Sequence, residues 1–384
     1  MRDRTDRPPR MGAGASGSDA ADPGSSNPDA SGSGAGGQGR LQAPPLTGAD
    51  GALPPSGSVI PEPAWRRALD LIGKADEIAL ACHVSPDGDA LGSMLATGSV
   101  LRAQGKRVVA SFGDRQFDVP RLLRFLPGQD LLVPPADFPA EPELMITFDS
   151  STPDRLGLLG PNTAKAHEVI VVDHHLSNTG FGTLSLIDPH VAATAVLAEQ
   201  LIYRLGGSLD RDIATCLYAG LVTDTGSFRH ASTTPEVHQM AARLVATGLR
   251  TDEIARELWD RSPFGYLKVL AAALERVSLE DGLVWTYVPR VDRAAYGLPY
   301  TELEGLIDIV RRTDEAEVAV VLKEDDQGAW QVSSRSKGTV DVGAICAVLG
   351  GGGHHNAAGF TSHLSVEDTI AAFRALLPSR DGET

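Results

Sequence analysis

The chain is poor in cysteine and has no long apolar run. Its 384 residues include only three cysteines, Cys82, Cys216 and Cys346, which are far apart and set in apolar segments. An odd, scattered set of this kind argues against a disulfide framework or a cysteine zinc site, and indicates buried thiols in a reducing compartment. No segment offers the roughly 18 consecutive apolar residues of a membrane-spanning helix. We therefore expect a soluble protein whose chemistry does not depend on cysteine.

Basic residues are scarce as well. The chain carries 34 Lys and Arg against 50 Asp and Glu, which gives a formal net charge of −16. Non-specific binding to long nucleic acid depends on many contacts between Lys or Arg and phosphates, so this charge disfavours a protein that binds long duplexes. Small anionic substrates held by metal ions stay compatible with it.

Large aliphatic residues are rare in the first 60 positions, which consist mainly of Gly, Ser, Ala, Pro and Asp. Such a segment cannot bury enough apolar surface to offset its conformational entropy, and we expect residues 1–60 to form a disordered tail. The segment also lacks the apolar core of a secretory signal, which favours a cytoplasmic location.

From residue 61 onward, short apolar runs alternate with segments of helical periodicity. The predicted strands are 77–82, 107–111, 144–148, 168–172, 283–288, 317–323 and 330–334. The predicted helices are 63–74, 90–104, 193–205, 211–223, two or three between 235 and 276, then 303–311, 342–349 and 366–377. This alternation predicts an α/β fold with a doubly wound, mostly parallel sheet at residues 61–250. A helical connection at 251–276 and a second, smaller α/β domain at 277–380 follow.

Carboxylates and imidazoles stand at the ends of these predicted elements. They are His83, Asp87 and Asp89 in HVSPDGD, Asp149 after LMITF, Asp173, His174 and His175 after EVIVV, and Asp224 in LVTDTGSF. Ligands of doubly wound domains bind outside the carboxyl ends of the strands, so we expect these side chains to meet. Oxygen and nitrogen donors without thiolate suit Mn²⁺ or Mg²⁺ better than structural zinc. Two such ions, sharing bridging carboxylates, can activate water and neutralise charge on a phosphoryl group.

Each of these segments also has an ordinary structural explanation. Asp-Gly turns and Asp residues at helix ends are frequent, so Asp87, Asp89, Asp149 and Asp224 taken singly could be turn or capping residues. The adjacent His174 and His175 could belong to packing. The joint occurrence of all four segments, where α/β active sites form, favours a metal centre.

A second group of residues near the carboxyl end has the character of an anion clamp. Glycines at 350–353 let backbone N–H groups approach a phosphate closely, although alone they could form a flexible turn. Arg335 offers a bidentate fork for phosphate, and His354 adds a donor. The predicted substrate-binding residues are Ser333, Arg335, Gly352, Gly353 and His354.

These motifs resemble those of a known family. HVSPDGD, the Asp of ITFDSS, the DHH triplet and the Asp of VTDTGSF are similar to the four motifs of the DHH phosphoesterases, the superfamily of RecJ-type exonucleases and manganese-dependent inorganic pyrophosphatases. SSRSKGTVDVGAI and the GGGHxxAAG signature at 351–359 resemble the DHH-associated substrate-binding domain. Over residues 63–377 the chain most resembles the bifunctional oligoribonucleases and pAp phosphatases, the nanoRNases.

The resemblance implies a role for each motif residue. One metal ion would be held by His83, Asp87, Asp149 and Asp224, and the other by Asp89, Asp149, His174 and Asp224. Asp173 would contact the metal ligands without binding an ion itself, and His175 would point at the scissile phosphate. The resemblance also implies manganese as the preferred ion, with Mg²⁺ or Co²⁺ as alternatives, and a homodimer.

The leading hypothesis is a hydrolase of very short RNA that also removes the 3′-phosphate of pAp. The same site could instead cleave cyclic di-AMP or its linear product pApA, and the sequence does not separate these substrates. Pyrophosphatase activity is disfavoured because those relatives carry a different C-terminal domain. A RecJ-type nuclease for long substrates is disfavoured by the acidic charge. An alternative outside the enzymes is a non-catalytic nucleotide-binding regulatory module. The full set of ligands argues against it, because binding alone would not require two bridged metal ions.

Overall fold

The structure is a computed structural model that describes residues 59–378. The predicted disordered tail therefore lies outside the described residues, except for Val59 and Ile60. Within 59–378, no helix has the length and apolar character needed to cross a membrane.

The elements follow one another as helices and short strands. The helices are α1 (Glu62–Lys74), α2 (Gly88–Ala103), α3 (Gly160–Thr163), α4 (Thr194–Arg204), α5 (Arg211–Asp224), α6 (Pro235–Ala246), α7 (Thr251–Trp259), α8 (Phe264–Glu275), α9 (Arg290–Ala294), α10 (Leu306–Val310), α11 (Val342–Val348) and α12 (Val366–Arg374). The strands are β1 (Glu77–Cys82), β2 (Arg107–Phe112), β3 (Leu144–Phe148), β4 (Glu168–Asp173), β5 (Leu184–Ile187), β6 (Ser278–Glu280), β7 (Leu283–Val288), β8 (Val318–Glu324), β9 (Trp330–Ser336), β10 (Gly352–His354) and β11 (Ala357–Ser362). Short 3₁₀ helices lie at Arg121–Leu123, Gln129–Leu131, Pro135–Asp137, Pro153–Leu159 and Tyr300–Leu303.

The first sheet has five parallel strands in the order β2-β1-β3-β4-β5. Its inner strands, β1, β3 and β4, are continuous apolar runs buried on both faces, as parallel sheets covered by helices require. The predicted doubly wound α/β fold is confirmed, and the sheet is wholly rather than mostly parallel. In the order 2-1-3-4-5 the chain reverses direction between β1 and β3, the switch point where such folds bind ligands.

Two central helices, α2 and α5, pack closely because glycines face the contact. A Cβ added at Gly92 would lie 2.3 Å from the Cys216 carbonyl oxygen, and one at Gly220 would lie 2.9 Å from Asp89 Oδ1. Only a residue without a side chain allows this approach. The packing brings the carboxyl end of α5, with Asp224, to the first turn of α2, which contains Asp89.

In the described part of the chain, the second sheet has six strands in the order β10-β11-β9-β8-β7-β6 and is mixed: β7 and β8 are parallel, and its other neighbouring strands are antiparallel. One face packs on α11 and α12 through a core that includes Leu322, Val332, Cys346 and Phe373. The other face, toward β7 and β8, packs on α8 and α10. The helix predicted at 303–311 is interrupted: a 3₁₀ turn ends at Leu303 and α10 begins at Leu306, with glycine 305 between them.

The sheets have separate apolar cores. Ile254 and Leu258 of α7 belong to the core of the first sheet, whereas Tyr266 and Val269 of α8 belong to a core of the second. The chain therefore passes from one core to the other between α7 and α8.

The predicted character of the three cysteines is confirmed. Cys82, Cys216 and Cys346 are all buried and free.

Candidate metal centre and substrate cleft

The predicted ligands gather at the switch point of the first sheet. His83 follows β1, Asp149 follows β3 and Asp173 ends β4. Parallel strands carry their carboxyl ends to the same edge, so three strand ends supply side chains to one place. Asp89 comes from α2 and Asp224 from α5.

One triplet consists of His83, Asp87 and Asp149, whose ligand atoms lie within 4.8 Å of one another. The His83 ring donates from Nδ1 to the Val84 carbonyl oxygen at 2.8 Å, which leaves Nε2 facing Asp149 Oδ2 at 3.4 Å and Asp87 Oδ1 at 3.8 Å. A histidine ring fixed by a backbone carbonyl with its other nitrogen free is the usual arrangement of a metal ligand.

Asp149 occupies a strained backbone position. Its φ of 56° lies in the left-handed region, which a residue with a side chain adopts at a cost of about 1–3 kcal/mol. Its N–H donates to the Val172 carbonyl oxygen at 3.0 Å, and its Oδ1 accepts from Thr194 Oγ1 at 2.9 Å. These bonds aim the carboxylate between the two histidines, His83 and His174.

A second triplet consists of Asp89, His174 and Asp224. Asp89 is fully buried and accepts the backbone N–H groups of Thr194 and Ala195 at the start of α4. His174 Nε2 lies 3.3 Å from Asp224 Oδ2 and 3.6 Å from Asp149 Oδ1. This buried nitrogen has no hydrogen-bond partner among the described residues.

The charges of this cluster are unbalanced. Asp87, Asp89, Asp149 and Asp224 lie together, and no Lys or Arg in the described part of the chain forms an ion pair with them. Burial first, then repulsion from Asp149, raises the pKa of Asp89 and of Asp224 well above the ordinary value. Asp224 also ends α5, where the helix dipole disfavours negative charge.

Nearby histidines partly balance this negative charge. Burial disfavours the charged form of His83, but its hydrogen bonds with Asp149 and Asp87 prevail and raise its pKa to about 10. Burial likewise disfavours ionised Asp149, yet His83 and His174 hold its pKa well below the ordinary value. Crowded carboxylates without basic partners, together with an unpartnered imidazole nitrogen, match the donor set of divalent cations. The residues present therefore fit a metal centre.

Asp173 and His175 lie beside these triplets. Asp173 is fully buried and accepts the His174 N–H at 2.9 Å and His175 Nδ1 at 2.7 Å. Asn178 Nδ2 donates to its other oxygen. Burial opposes protonation of His175, but the hydrogen bond to Asp173 outweighs it and raises the pKa of His175 to about 9. His175 is thus oriented as a cationic donor.

The second sheet reaches the cluster through His354. Its ring stacks on His175 with ring centroids 4.7 Å apart and 20° between the planes. Burial, followed by the charges of His175 and His174, lowers the pKa of His354 to about 4. His354 is therefore neutral at pH 7 in the absence of an anion, and can donate one hydrogen bond.

Three of the other four predicted substrate residues lie along the face of the second sheet that carries His354. Directly paired residues put their side chains on the same face. Arg335 and His354 are both in the row of Ala357, and Ser333 and Gly352 are both in the row of Gly359. Gly353 differs: it pairs with Ala358, whose side chain faces the core, so it could meet a ligand only through its backbone.

Several residues around the site were not predicted. Thr194 bonds Asp149 through its side chain and Asp89 through its backbone, and Asn178 holds Asp173. Lys323, buried on the sheet face of Arg335, was also missed. A Thr at a helix start and an Asn in a turn have common structural roles, so no motif marks them.

A parallel α/β sheet with clustered carboxylates and imidazoles at its switch point, opposite a second sheet that carries polar residues, defines a metal-dependent hydrolase. Residues 77–221 match the DHH family, N-terminal domain, and residues 287–378 match the DHHA1 domain. The chain belongs to the DHH family of phosphoesterases, which confirms the predicted resemblance.

Similar proteins agree with this assignment. The chain is 36% identical over 310 residues to the bifunctional oligoribonuclease and PAP phosphatase NrnA of Thermus thermophilus, covering 78% of this chain and 90% of that protein. It is 26% identical over 327 residues to the cyclic-di-AMP phosphodiesterase GdpP of Geobacillus thermodenitrificans, but spans only 48% of that protein and 79% of itself. The crystal structure of an exopolyphosphatase-related protein from Bacteroides fragilis has the same fold, with a TM-score of 0.76 and 24% identity over 83% of this chain and 96% of that one.

Proposed function

We propose that this protein hydrolyses short oligoribonucleotides to mononucleotides and removes the 3′-phosphate of pAp. The observation that carries the proposal is the contact between a carboxylate–imidazole cluster and a polar sheet face through the His175–His354 stack. Similarity over nearly the full length of a protein named for these two activities supports it. We further propose a catalytic domain at 61–250, a helical connection at 251–276, a substrate-binding domain at 277–380, and a cytoplasmic location, which the free cysteines suit.

Two divalent ions, with manganese as the preferred metal, are proposed as the cofactor. His83 and Asp87 would serve one ion, Asp89 and His174 the other, and Asp149 and Asp224 would bridge them. The two triplets of donor atoms support this division. Bound there, such ions supply positive charge for the phosphoryl group and lower the pKa of water.

The side chains of the protein have complementary tasks. Asp173 holds His175 in place by a 2.7 Å hydrogen bond and favours its protonated form. In that form His175 can donate to a phosphate oxygen as its charge develops. Arg335, Ser333 and His354 of the second sheet would hold the part of the substrate that does not react and thereby orient it.

A second candidate substrate is cyclic di-AMP or its linear product pApA. Similarity to a cyclic-di-AMP phosphodiesterase favours this alternative, although the chain spans about half of that relative. The alternative of a non-catalytic regulatory module is disfavoured, because the side chains of every motif occur together in one cluster.

The test is turnover of a substrate panel with added Mn²⁺. We expect pAp and 5′-phosphorylated RNA dinucleotides, pApA among them, to give the highest kcat/KM, with cyclic di-AMP and pyrophosphate well below. A preference for cyclic di-AMP would replace the proposed substrate by the second candidate. Absence of turnover for the whole panel, in protein with its metal content checked, would support the regulatory module instead.

We also propose a homodimer that uses the exposed face of α8. Phe264, Leu267 and Leu274 are 71%, 54% and 44% exposed and recur on one side of this helix. Lys268 and Glu275, two turns apart on the same side, form no ion pair among the described residues. An antiparallel pair of α8 helices would set Lys268 of one copy opposite Glu275 of the other, which makes the surface self-complementary.

The dimer prediction is checked by mass measurement in solution. Light scattering should give twice the chain mass for the native protein and the chain mass for Leu267→Glu. Leu364→Glu, at an exposed leucine away from α8, should stay dimeric. A native protein of single-chain mass at micromolar concentration would refute the dimer, and a dimeric Leu267→Glu would refute this surface.

A further inference from the structure

Lys323 is a buried cation that forms no ion pair among residues 59–378. It lies in β8, and only 5% of its surface is exposed. Its ammonium group lies over an aromatic ring, with Nζ 5.4 Å from the centroid of Tyr300. Within residues 59–378, the structure gives it no hydrogen bond and no ion pair. A buried charge is normally paired, because removal from water otherwise costs several kcal/mol.

Its position links it to the substrate face of the second sheet. Lys323 pairs with Gln331 of β9, and side chains two residues apart on a strand share a face. Lys323 therefore lies on the same face as Ser333 and Arg335. Among residues 59–378, Arg335 also forms no ion pair with a carboxylate; its Nη1 donates to the Ser334 carbonyl oxygen at 3.0 Å.

The two cations influence each other. Burial lowers the pKa of Lys323 although Glu304 attracts its charge, and the charge of Arg335 adds a smaller lowering effect. Burial also lowers the pKa of Arg335. Glu304 is near enough to both to feel their charges and those of Asp87 and His83, yet it makes no ion pair with either cation. Two cations therefore share this face, and Glu304 lies near enough to interact both with them and with Asp87 and His83 of the metal cluster.

A purely structural role explains this arrangement poorly. A methionine or leucine would fill the same space beside Tyr300 without the desolvation cost of an ammonium group. A cation retained in such a place is explained by an anion that joins it, because the anion would supply the missing hydrogen bonds and balance both charges.

We propose that Lys323 binds, together with Arg335, the phosphate group of the substrate that is not attacked. In pAp and in a 5′-phosphorylated dinucleotide this group is the 5′-phosphate. Tyr300 would support the lysine chain beside that phosphate. The inference rests on the proposed function and deepens it, since it assigns the group that makes the enzyme prefer substrates with a second phosphate.

The test compares two RNA dinucleotides that differ only in the 5′-phosphate, pApA and ApA, in the native enzyme and in Lys323→Gln. We expect the native enzyme to favour pApA, and Lys323→Gln to raise KM for pApA and pAp by about tenfold or more, the scale of one charged hydrogen bond. KM for ApA, and turnover of a small chromogenic phosphodiester, should change little. Lys337→Gln, which removes an exposed lysine just beyond β9, should behave like the native enzyme.

Each other outcome has a definite meaning. Equal losses on pApA and ApA would overturn the inference, and so would an unchanged KM for pApA. If Lys323→Gln raised KM for pApA but not for pUpU, the loss would depend on the base, and Lys323 would be assigned to base recognition instead. A lower melting temperature of Lys323→Gln, together with loss of turnover of the small diester, would assign Lys323 a structural role. We expect Lys323→Met to melt no lower than the native protein. Failure of the native enzyme on every dinucleotide would instead refute the proposed function.

Discussion

Asp224→Ala should abolish hydrolysis of pAp and of RNA dinucleotides, with kcat lowered by about a thousandfold or more, the scale on which removal of one member of a catalytic unit acts. Asp224 is the carboxylate that closes the second triplet, with Oδ2 3.3 Å from His174 Nε2. Its loss would leave His174 and Asp89 without the group proposed to bridge both ions. Steady-state kinetics with saturating Mn²⁺ measures the effect.

The matched control removes a carboxylate from the other end of the same helix. Asp212 lies exposed in the first turn of α5, about 18 Å along the helix from Asp224 at 1.5 Å per residue. Asp212→Ala should keep nearly the native kcat. If Asp224→Ala retained a tenth of the native rate while binding metal normally, Asp224 would not be a ligand.

The second large effect is that His174→Ala and Arg335→Ala should change different kinetic parameters. His174→Ala should be almost inactive in kcat on every substrate, because it removes an imidazole from the reacting centre. Arg335→Ala should raise KM at least as strongly as it lowers kcat, with a loss of roughly 2–4 kcal/mol in transition-state binding, the scale for an unmade charged hydrogen bond. Full kinetics on pAp separate the two parameters.

A small chromogenic phosphodiester provides the control for this contrast. It has no second phosphate to reach the sheet face, so Arg335→Ala should barely affect its turnover, whereas His174→Ala should still be inactive. Arg335→Lys should recover part of the binding to pAp by keeping the charge. If Arg335→Ala lowered turnover of pAp and of the small diester equally, Arg335 would belong to the metal centre or the core.

The first sheet could be predicted from the sequence for a physical reason. Strands such as 77–82 and 144–148 are continuous apolar runs, because a parallel sheet buries both faces, and both bounds agree with the structure. Each run ends at a polar residue, His83 or Asp149, which marks the edge where ligands bind. Once these edges are known, the topology brings the side chains together.

The remainder depends on contacts that local sequence does not express. β5 has four residues with only one buried, so it lacks a clear apolar pattern. β10 lies within the glycine run and becomes a strand only by pairing with β11. Lys323 precedes a run of acidic residues and reads as a surface lysine, yet the fold buries it beside Tyr300. The closeness of α2 and α5 follows from glycines that meet only in three dimensions.

The most direct measurement is the turnover of pAp and an RNA dinucleotide by protein stripped of metal, checked to be metal-free, and then titrated with Mn²⁺. The stripped protein should be inactive, and activity should return as the content of bound Mn²⁺, measured in parallel, approaches two ions per chain. Asp224→Ala should neither regain activity nor hold the second ion. A protein that is free of metal and keeps its full rate would contradict a metal centre at the carboxylate–imidazole cluster.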